Sequence, residues 1–192
     1  MAFYTKEQLH SLGFRSFGEN VSISDRASIY KPSQISIGDN VRIDDFCILS
    51  AGDGGIVIGD HVHIACYVSI IGKGKVTISD FAGISSRSAI YSSNDDYSGD
   101  YLTGPTIPPE FTNVKHSDVM IGKHVVLGVN VTVLPGISIG EGAAIGAYSL
   151  VNKSIEPGII AVGVPAKEIK KRGSAIFDLE KQLKVKHELG TP

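Results

Sequence analysis

Two stretches of this chain carry side chains suited to moving a proton. One is the pair Ser85-Ser86; the other is Tyr91-Ser-Ser-Asn-Asp95-Asp96, followed further along by His116. An alcohol needs a base with a pKa near the working pH, and a histidine meets that demand better than an aspartate whose ordinary pKa is about 3.9. An amine, once unprotonated, attacks an activated carbonyl without such help and needs only orientation and somewhere for its proton to go. Asp95, Asp96 and His116 are the candidate proton acceptors, with Ser85 and Ser86 as candidate orienting groups. Aspartates in a Ser- and Gly-rich loop also close Asx-turns, so the two carboxylates compete for these roles. His61 and His63 are two apart and can share a strand face, with His124 later in the chain. No third ligand follows a matching pattern, and no metal site is expected. Lys167, Lys170, Lys171 and Arg172 follow Pro165 and offer positive charge to phosphate groups.

The elements that must position these residues are set by a six-residue period. Steps of six from Ile121 land on Ile121, Leu127, Val133, Ile139, Ile145 and Val151, and the next residue is often glycine, as at Gly122, Gly128, Gly140 and Gly146. The ladder appears earlier as Ile37, Ile43 and Leu49, then Ile58, Ile64 and Ile70, then Ile78, Ile84 and Ile90, opened by Ile23 and Ile29. Its register breaks at glycine clusters (Ala51-Gly-Asp-Gly-Gly and Gly72-Lys-Gly-Lys), which read as insertions at a corner. Helical spacing is absent, and strand alternation never runs longer than a few residues. Three hexads therefore close one triangular coil with the aliphatic anchors stacked inside. Successive coils lie about 4.8 Å apart, which makes an all-β, parallel β-helix.

Three pieces lie outside the period. Thr5 and Gly13 bracket a short N-terminal helix that caps the prism within residues 1–20. The β-helix occupies 21–165 and is interrupted by a long external loop at 91–118; a loop of that length in a compact repeat is usually functional. A tail follows over 166–192, with a C-terminal helix at Ser174–Leu189 whose apolar residues are Ile176, Leu179 and Leu183. The formal net charge is −2, with 18 Lys and Arg against 20 Asp and Glu, so no basic surface for nucleic acid is expected. The N-terminus lacks a signal-peptide layout, and no apolar run approaches membrane-spanning length, which predicts a cytoplasmic protein without a membrane partner. Cys47 and Cys66 form no metal or disulfide pattern and read as reduced packing residues.

The ladder, the run Leu127-Gly-Val-Asn-Val-Thr-Val-Leu-Pro-Gly136 and the segment Gly163-Val-Pro-Ala-Lys167 resemble the hexapeptide acyltransferase superfamily over nearly the whole chain. The resemblance implies a left-handed coil, a homotrimer with active sites between subunits, and acetyl-CoA or another short acyl-CoA as donor. General sterics would have favoured right-handed crossovers, so the handedness comes from the family. The stretch from Ile84 through Thr106 looks like nucleotide-sugar N-acyltransferases, closest to those acylating dTDP-4-amino-4,6-dideoxyglucose. In related sugar O-acetyltransferases a histidine stands where the loop leaves the prism, and Asp95 occupies that place here. The likeness therefore favours N-acylation of a nucleotide-linked amino sugar, with Asp95 and Ser85 in the chemistry and Ser86, Tyr97 and Tyr101 on the sugar nucleotide. It places the donor along Asn130, Gly146, Ala147 and Ser149, with Pro165, Lys167, Lys170 and Arg172 near its phosphates. Two alternatives stay open: saccharide O-acetyl transfer with His116 as base, and a non-catalytic β-helix scaffold.

Overall fold

The computed structural model describes residues 2–188. Its centre is a prism of three parallel faces whose short strands recur once per coil. The first face is built from Ser16–Phe17, Ile35–Ile37, Ile56–Ile58, Val76–Ile78, Val119–Ile121 and Ser138–Ile139. The second carries Ser22–Ile23, Arg42–Ile43, His63–Ile64, Gly83–Ile84, Val126–Leu127, Ala144–Ile145 and Ile159–Val162. The third carries Ser28–Tyr30, Ile48–Ala51, Ser69–Gly72, Ala89–Tyr91, Thr132–Val133 and Leu150–Val151. Anchors stack in register from coil to coil: Ile58, Ile78 and Ile121 on one face, Ile64, Ile84 and Leu127 on the next. None of these six is more than 2% exposed. Because Ile78 sits directly against Ile121, residues 91–118 leave the prism and return without costing it a coil.

The edge between the first and second faces explains the hexad glycines. Asp39, Asp60 and Asp80 form a ladder there, in which each carboxylate accepts the backbone N–H one coil back: Glu19 N to Asp39 at 2.7 Å, Asp39 N to Asp60 at 2.8 Å, Asp60 N to Asp80 at 3.0 Å. A Cβ at Gly59 would run into Asp80 Oδ1 and lie 2.8 Å from its backbone nitrogen. The left-handed turn two residues later is made instead by His61, Phe81 and His124, with φ between 56° and 59°. Bulky residues seldom adopt that conformation. Here they stack on one another, His61 on Phe81 at 4.7 Å and Phe81 on His124 at 5.0 Å between ring centres. Contact between coils offsets the local strain.

Both ends of the prism are closed. Helix α1 (Lys6–Leu12) begins in a capping box made by Thr5 and Gln8 and stops at left-handed Gly13, burying Leu9. Strand pairing starts ahead of residue 21, since Ser16–Phe17 already lies on Ser36–Ile37. It also continues past residue 165: Lys167–Lys171 folds back antiparallel on Ile159–Val162 and ends the second face. Helix α2 (Ala175–Glu188) then packs on the outside. It half-buries Ile176, Phe177 and Leu183, but Leu179 is 60% exposed and the inward place goes to Glu180, at 8%. The surface beneath Glu180 offers Lys123 and His124. Glu180 Oε1 accepts from Lys123 Nζ and Lys184 Nζ, both at 2.6 Å, and Oε2 lies 2.7 Å from His124 Nε2. Arg172 Nη1 braces the same edge by donating to the carbonyls of His124, Gly142 and Ala143. Leu189, the last residue of the expected helix, lies outside the described residues.

Two outcomes follow from these contacts. Gly59→Ala forces neighbouring coils apart and lowers stability by about 1–3 kcal/mol, measured by chemical denaturation. The hydrogen bonds from Lys123, then Lys184, hold the Glu180 carboxyl at about 2, against an ordinary 4.5. A depressed carboxylate pKa stabilises the fold above the unfolded value, and the gain is lost as pH falls from about 4.5 towards 2. Amide protection of α2 should therefore collapse across that window while the prism remains protected, and Glu180→Gln should expose the same amides at neutral pH.

Candidate active site

The excursion at 91–118 is not a free loop. Its two arms pair antiparallel, Ser93 against His116 and Asn94 against Lys115, and a bridge further out joins Leu102 to Thr112. This stem stands off the edge that follows the third face and walls a cleft of about 890 Å³. Asp95 and His116 line the cleft from the stem, Lys31 and Lys73 from the prism, and Pro105 and Asn113 from the outer arm.

The two adjacent aspartates have different fates. Asp96 accepts from Ser98 N at 2.8 Å and from the Ser98 hydroxyl, and its other oxygen accepts from Asn113 Nδ2 at 2.9 Å. The hydrogen bonds from Ser98, before all else, hold its carboxyl below the ordinary carboxylate range. Asp96 closes a turn and ties the two arms together. Asp95 faces the cleft. His116 is held there as well, with Nδ1 2.7 Å from Ser93 Oγ, which also accepts the Lys73 N–H at 2.8 Å.

Ser85 and Ser86 lie on a different edge of the triangle, between the second and third faces. They line a separate hollow of about 310 Å³ together with His63, Ala65, Gly83 and Val126. One chain does not bring Ser85 and Asp95 together. Tyr97 is 85% exposed, and Tyr101 lines a third, shallow hollow at the loop tip with Leu102 and Phe111. Of the residues expected along the donor, Asn130 and Ala147 sit on the same edge as Ser85 in later coils, and Gly146 there has no room for a side chain because a Cβ would strike Val162. Ser149 is buried, donating to Gly146 O and accepting from Gly163 N. Pro165 sits in the turn of the closing hairpin, Lys167 and Lys170 are exposed on its last strand, and Arg172 turns inward to the carbonyls it braces. His61 is in the ring stack, His63 lies 2.9 Å from Asp44, and His124 meets Glu180. Sequence reasoning did not single out Lys31, Lys73, Ser93 or Asp44: Ser93 is in a two-residue stem with no period to read, and the other three are polar residues just past prism strands, where the period assigns no role.

The bacterial transferase hexapeptide family (six repeats) matches residues 118–153. The chain is 55% identical over 184 residues to a dTDP-4-amino-4,6-dideoxy-D-glucose acyltransferase of Escherichia coli, covering 96% of each. It superposes on the N-acyltransferase AntD of Bacillus cereus in complex with dTDP and 3-hydroxybutyryl-CoA, with TM-score 0.93 and 46% identity over 97% of this chain and 98% of that one. A serine variant of AntD in complex with dTDP-4-amino-4,6-dideoxyglucose and coenzyme A gives TM-score 0.91 and 47% identity over 94% and 96%. The chain belongs to the hexapeptide-repeat acyltransferases, and its coil is their left-handed parallel β-helix. Among the relatives it matches over nearly its whole length are the dTDP-4-amino-4,6-dideoxy-D-glucose acyltransferase and AntD.

The contrast between the two carboxylates is open to a direct test. Asp96→Ala unties the arms at a cost of about 1–2 kcal/mol of local order. Limited proteolysis should then cut within residues 97–112 several times faster. Asp95→Ala should leave that rate at the native value.

Proposed function

We propose that this protein transfers an acetyl or other short acyl group from coenzyme A to the amine of a dTDP-linked 4-amino-4,6-dideoxyglucose. The observation that carries the reading is Asp95 on the cleft wall, where a weak carboxylate base suits an amine better than an alcohol. The amine lone pair attacks the thioester carbonyl carbon, a C–N bond forms, and the carbonyl pair moves onto oxygen. Bonding to carbon makes the nitrogen far more acidic, so its proton passes to Asp95. The carbonyl then re-forms, the C–S bond breaks, and sulfur leaves with the electron pair as coenzyme A thiolate.

The enzyme works as a homotrimer. Support comes from the separation of the two chemical stretches: Asp95 rises after the third face and Ser85 lies before it, so the Ser85 of the partner subunit completes a site that one copy leaves open. Tyr97 and Tyr101 face the sugar nucleotide in that assembly, because loop tips so exposed in one chain are free to reach another, and half-buried Ser86 faces it from the prism edge beside Ser85. The donor lies along the later coils past Asn130 and Ala147, and exposed Lys167 and Lys170 meet its phosphates. The reaction takes place in the cytoplasm, where acyl-CoA and nucleotide sugars are both available. No helix among the described residues is long and apolar enough to cross a membrane.

Purified protein supplied with acetyl-CoA should release thiol with the 4-amino sugar nucleotide and not with its 4-hydroxy counterpart; equal rates would sink the amine preference. Asp95→Asn should lower kcat about 10²-fold or more. One observation favours a second reading, O-acetyl transfer with His116 as base: Ser93 fixes the imidazole on the same cleft wall. Near-native turnover of His116→Gln removes that rival. A scaffold would gain no stability from coenzyme A, whereas binding at a hundred times Kd adds about 2.7 kcal/mol.

A further inference from the structure

The edge that carries Ser85 also carries an open stack of four planar side chains. Arg26, Phe46, Tyr67 and Arg87 stand at that corner in four successive coils. The Arg26 guanidinium lies 5.8 Å from the Phe46 ring centre, Phe46 stacks on Tyr67 at 5.0 Å, and the Arg87 guanidinium lies 5.8 Å from the Tyr67 ring. Phe46, Tyr67 and Arg87 hold left-handed φ values of 61°, 63° and 60°, a conformation that Asn130 takes one coil later and that asparagine adopts at less cost. On the edge between the first and second faces, α2 covers the comparable stack where Phe177 meets His124. Here Phe46 is 44% exposed and Tyr67 50%. Arg26 is paired with Asp45 at 3.6 Å, whereas the Arg87 guanidinium has no carboxylate partner among the described residues.

The tip of the excursion has the opposite chemistry. Residues 97–112 include Asp100 and Glu110 and no lysine or arginine. Both acidic residues line the shallow hollow of Tyr101, Leu102 and Phe111, about 290 Å³ in volume. Neither carboxylate is paired with a cation among the described residues. Aromatic and aliphatic walls with two carboxylates suit a guanidinium, which stacks on rings and pairs with carboxylates at once.

Resting on the homotrimer proposed above, we propose that the loop tip docks on the open stack of the neighbouring copy, and that its acidic hollow takes in Arg87 of the partner subunit. With Asp95 set against Ser85 of the partner subunit, the two arms of the stem run onto that partner's edge between the second and third faces. The tip lies further out along the same arms, and Arg87 stands two residues beyond Ser85 on the same corner. Asp100 and Glu110 meet the one guanidinium of the stack that its own chain leaves unpaired. Tyr101 then lies between the docked guanidinium and the sugar nucleotide. The outer arm, and with it one wall of the cleft, is fixed only when a second copy is in place.

The test reads the rate of subunit exchange between tagged and untagged protein. Arg87→Glu and Glu110→Arg should each speed exchange about tenfold or more, because each sets like charges against one another. Both changes in one chain restore opposite charges, and exchange should return to within about threefold of wild type. A folding defect at either position would add in the double variant rather than cancel. The contact is overturned if either reversal exchanges at the native rate or if the pair fails to recover. Mixing Ser85→Ala with Asp95→Ala chains tests the shared site separately, since activity rises above that of either variant only where one site draws on two copies. A mixture that gains no activity, or a wild type that is monomeric in solution, removes the shared site and the contact with it. A mixture that regains activity while both reversals exchange at the native rate removes the contact alone.

Discussion

Backbones of neighbouring coils run so close that a single methyl group under an edge glycine has nowhere to go. That spacing governs the rest of the molecule. It puts glycine after the aliphatic anchor in hexad after hexad and lets one aspartate per coil satisfy the amide of the coil before it. It also brings His61, Phe81 and His124 into van der Waals contact, which offsets backbone conformations that such residues seldom adopt. A chain bound by this spacing has little freedom inside the prism. Variation is pushed to the edges, where an insertion can leave one coil and rejoin the next with the anchors still in register.

The chemistry accordingly sits on edges. The Asp95 cleft rises after the third face, and the Ser85 hollow lies between the second and third. A rigid prism cannot bend to bring two of its own edges together, so a site drawing on both needs a second prism alongside. Rigidity of the coil and assembly of the site are two sides of one constraint.

Legibility in the sequence followed how local each determinant is. The period of six is written into every hexad, so faces, anchors and the point of departure after Ile90 could be read directly. The excursion's stem could not, since Ser93-Asn94 and Lys115-His116 are too short for any pattern. Asp95 and Asp96 are chemically identical neighbours, and what separates them is that Ser98 and, across the loop, Asn113 donate to Asp96. Leu179 fitted the apolar stripe of α2 on spacing alone, yet Glu180 faces inward because the partner surface offers Lys123 and His124. Arg172 looked like a phosphate ligand by charge and neighbourhood, and charge alone did not foretell that its Nη1 reaches three backbone carbonyls.

The last strand, Lys167–Lys171, runs against the direction of every other strand on its face. A stack of identical parallel coils ends in a row of unpaired amides and carbonyls, which is a template for another stack and so for filaments. Reversing the chain there presents a hydrogen-bonding pattern that a parallel coil cannot continue. Lys167, Lys170 and Lys171 add mutual charge repulsion between any two such ends. A reversed strand carrying such charges thus keeps a fold built on unlimited repetition from polymerising.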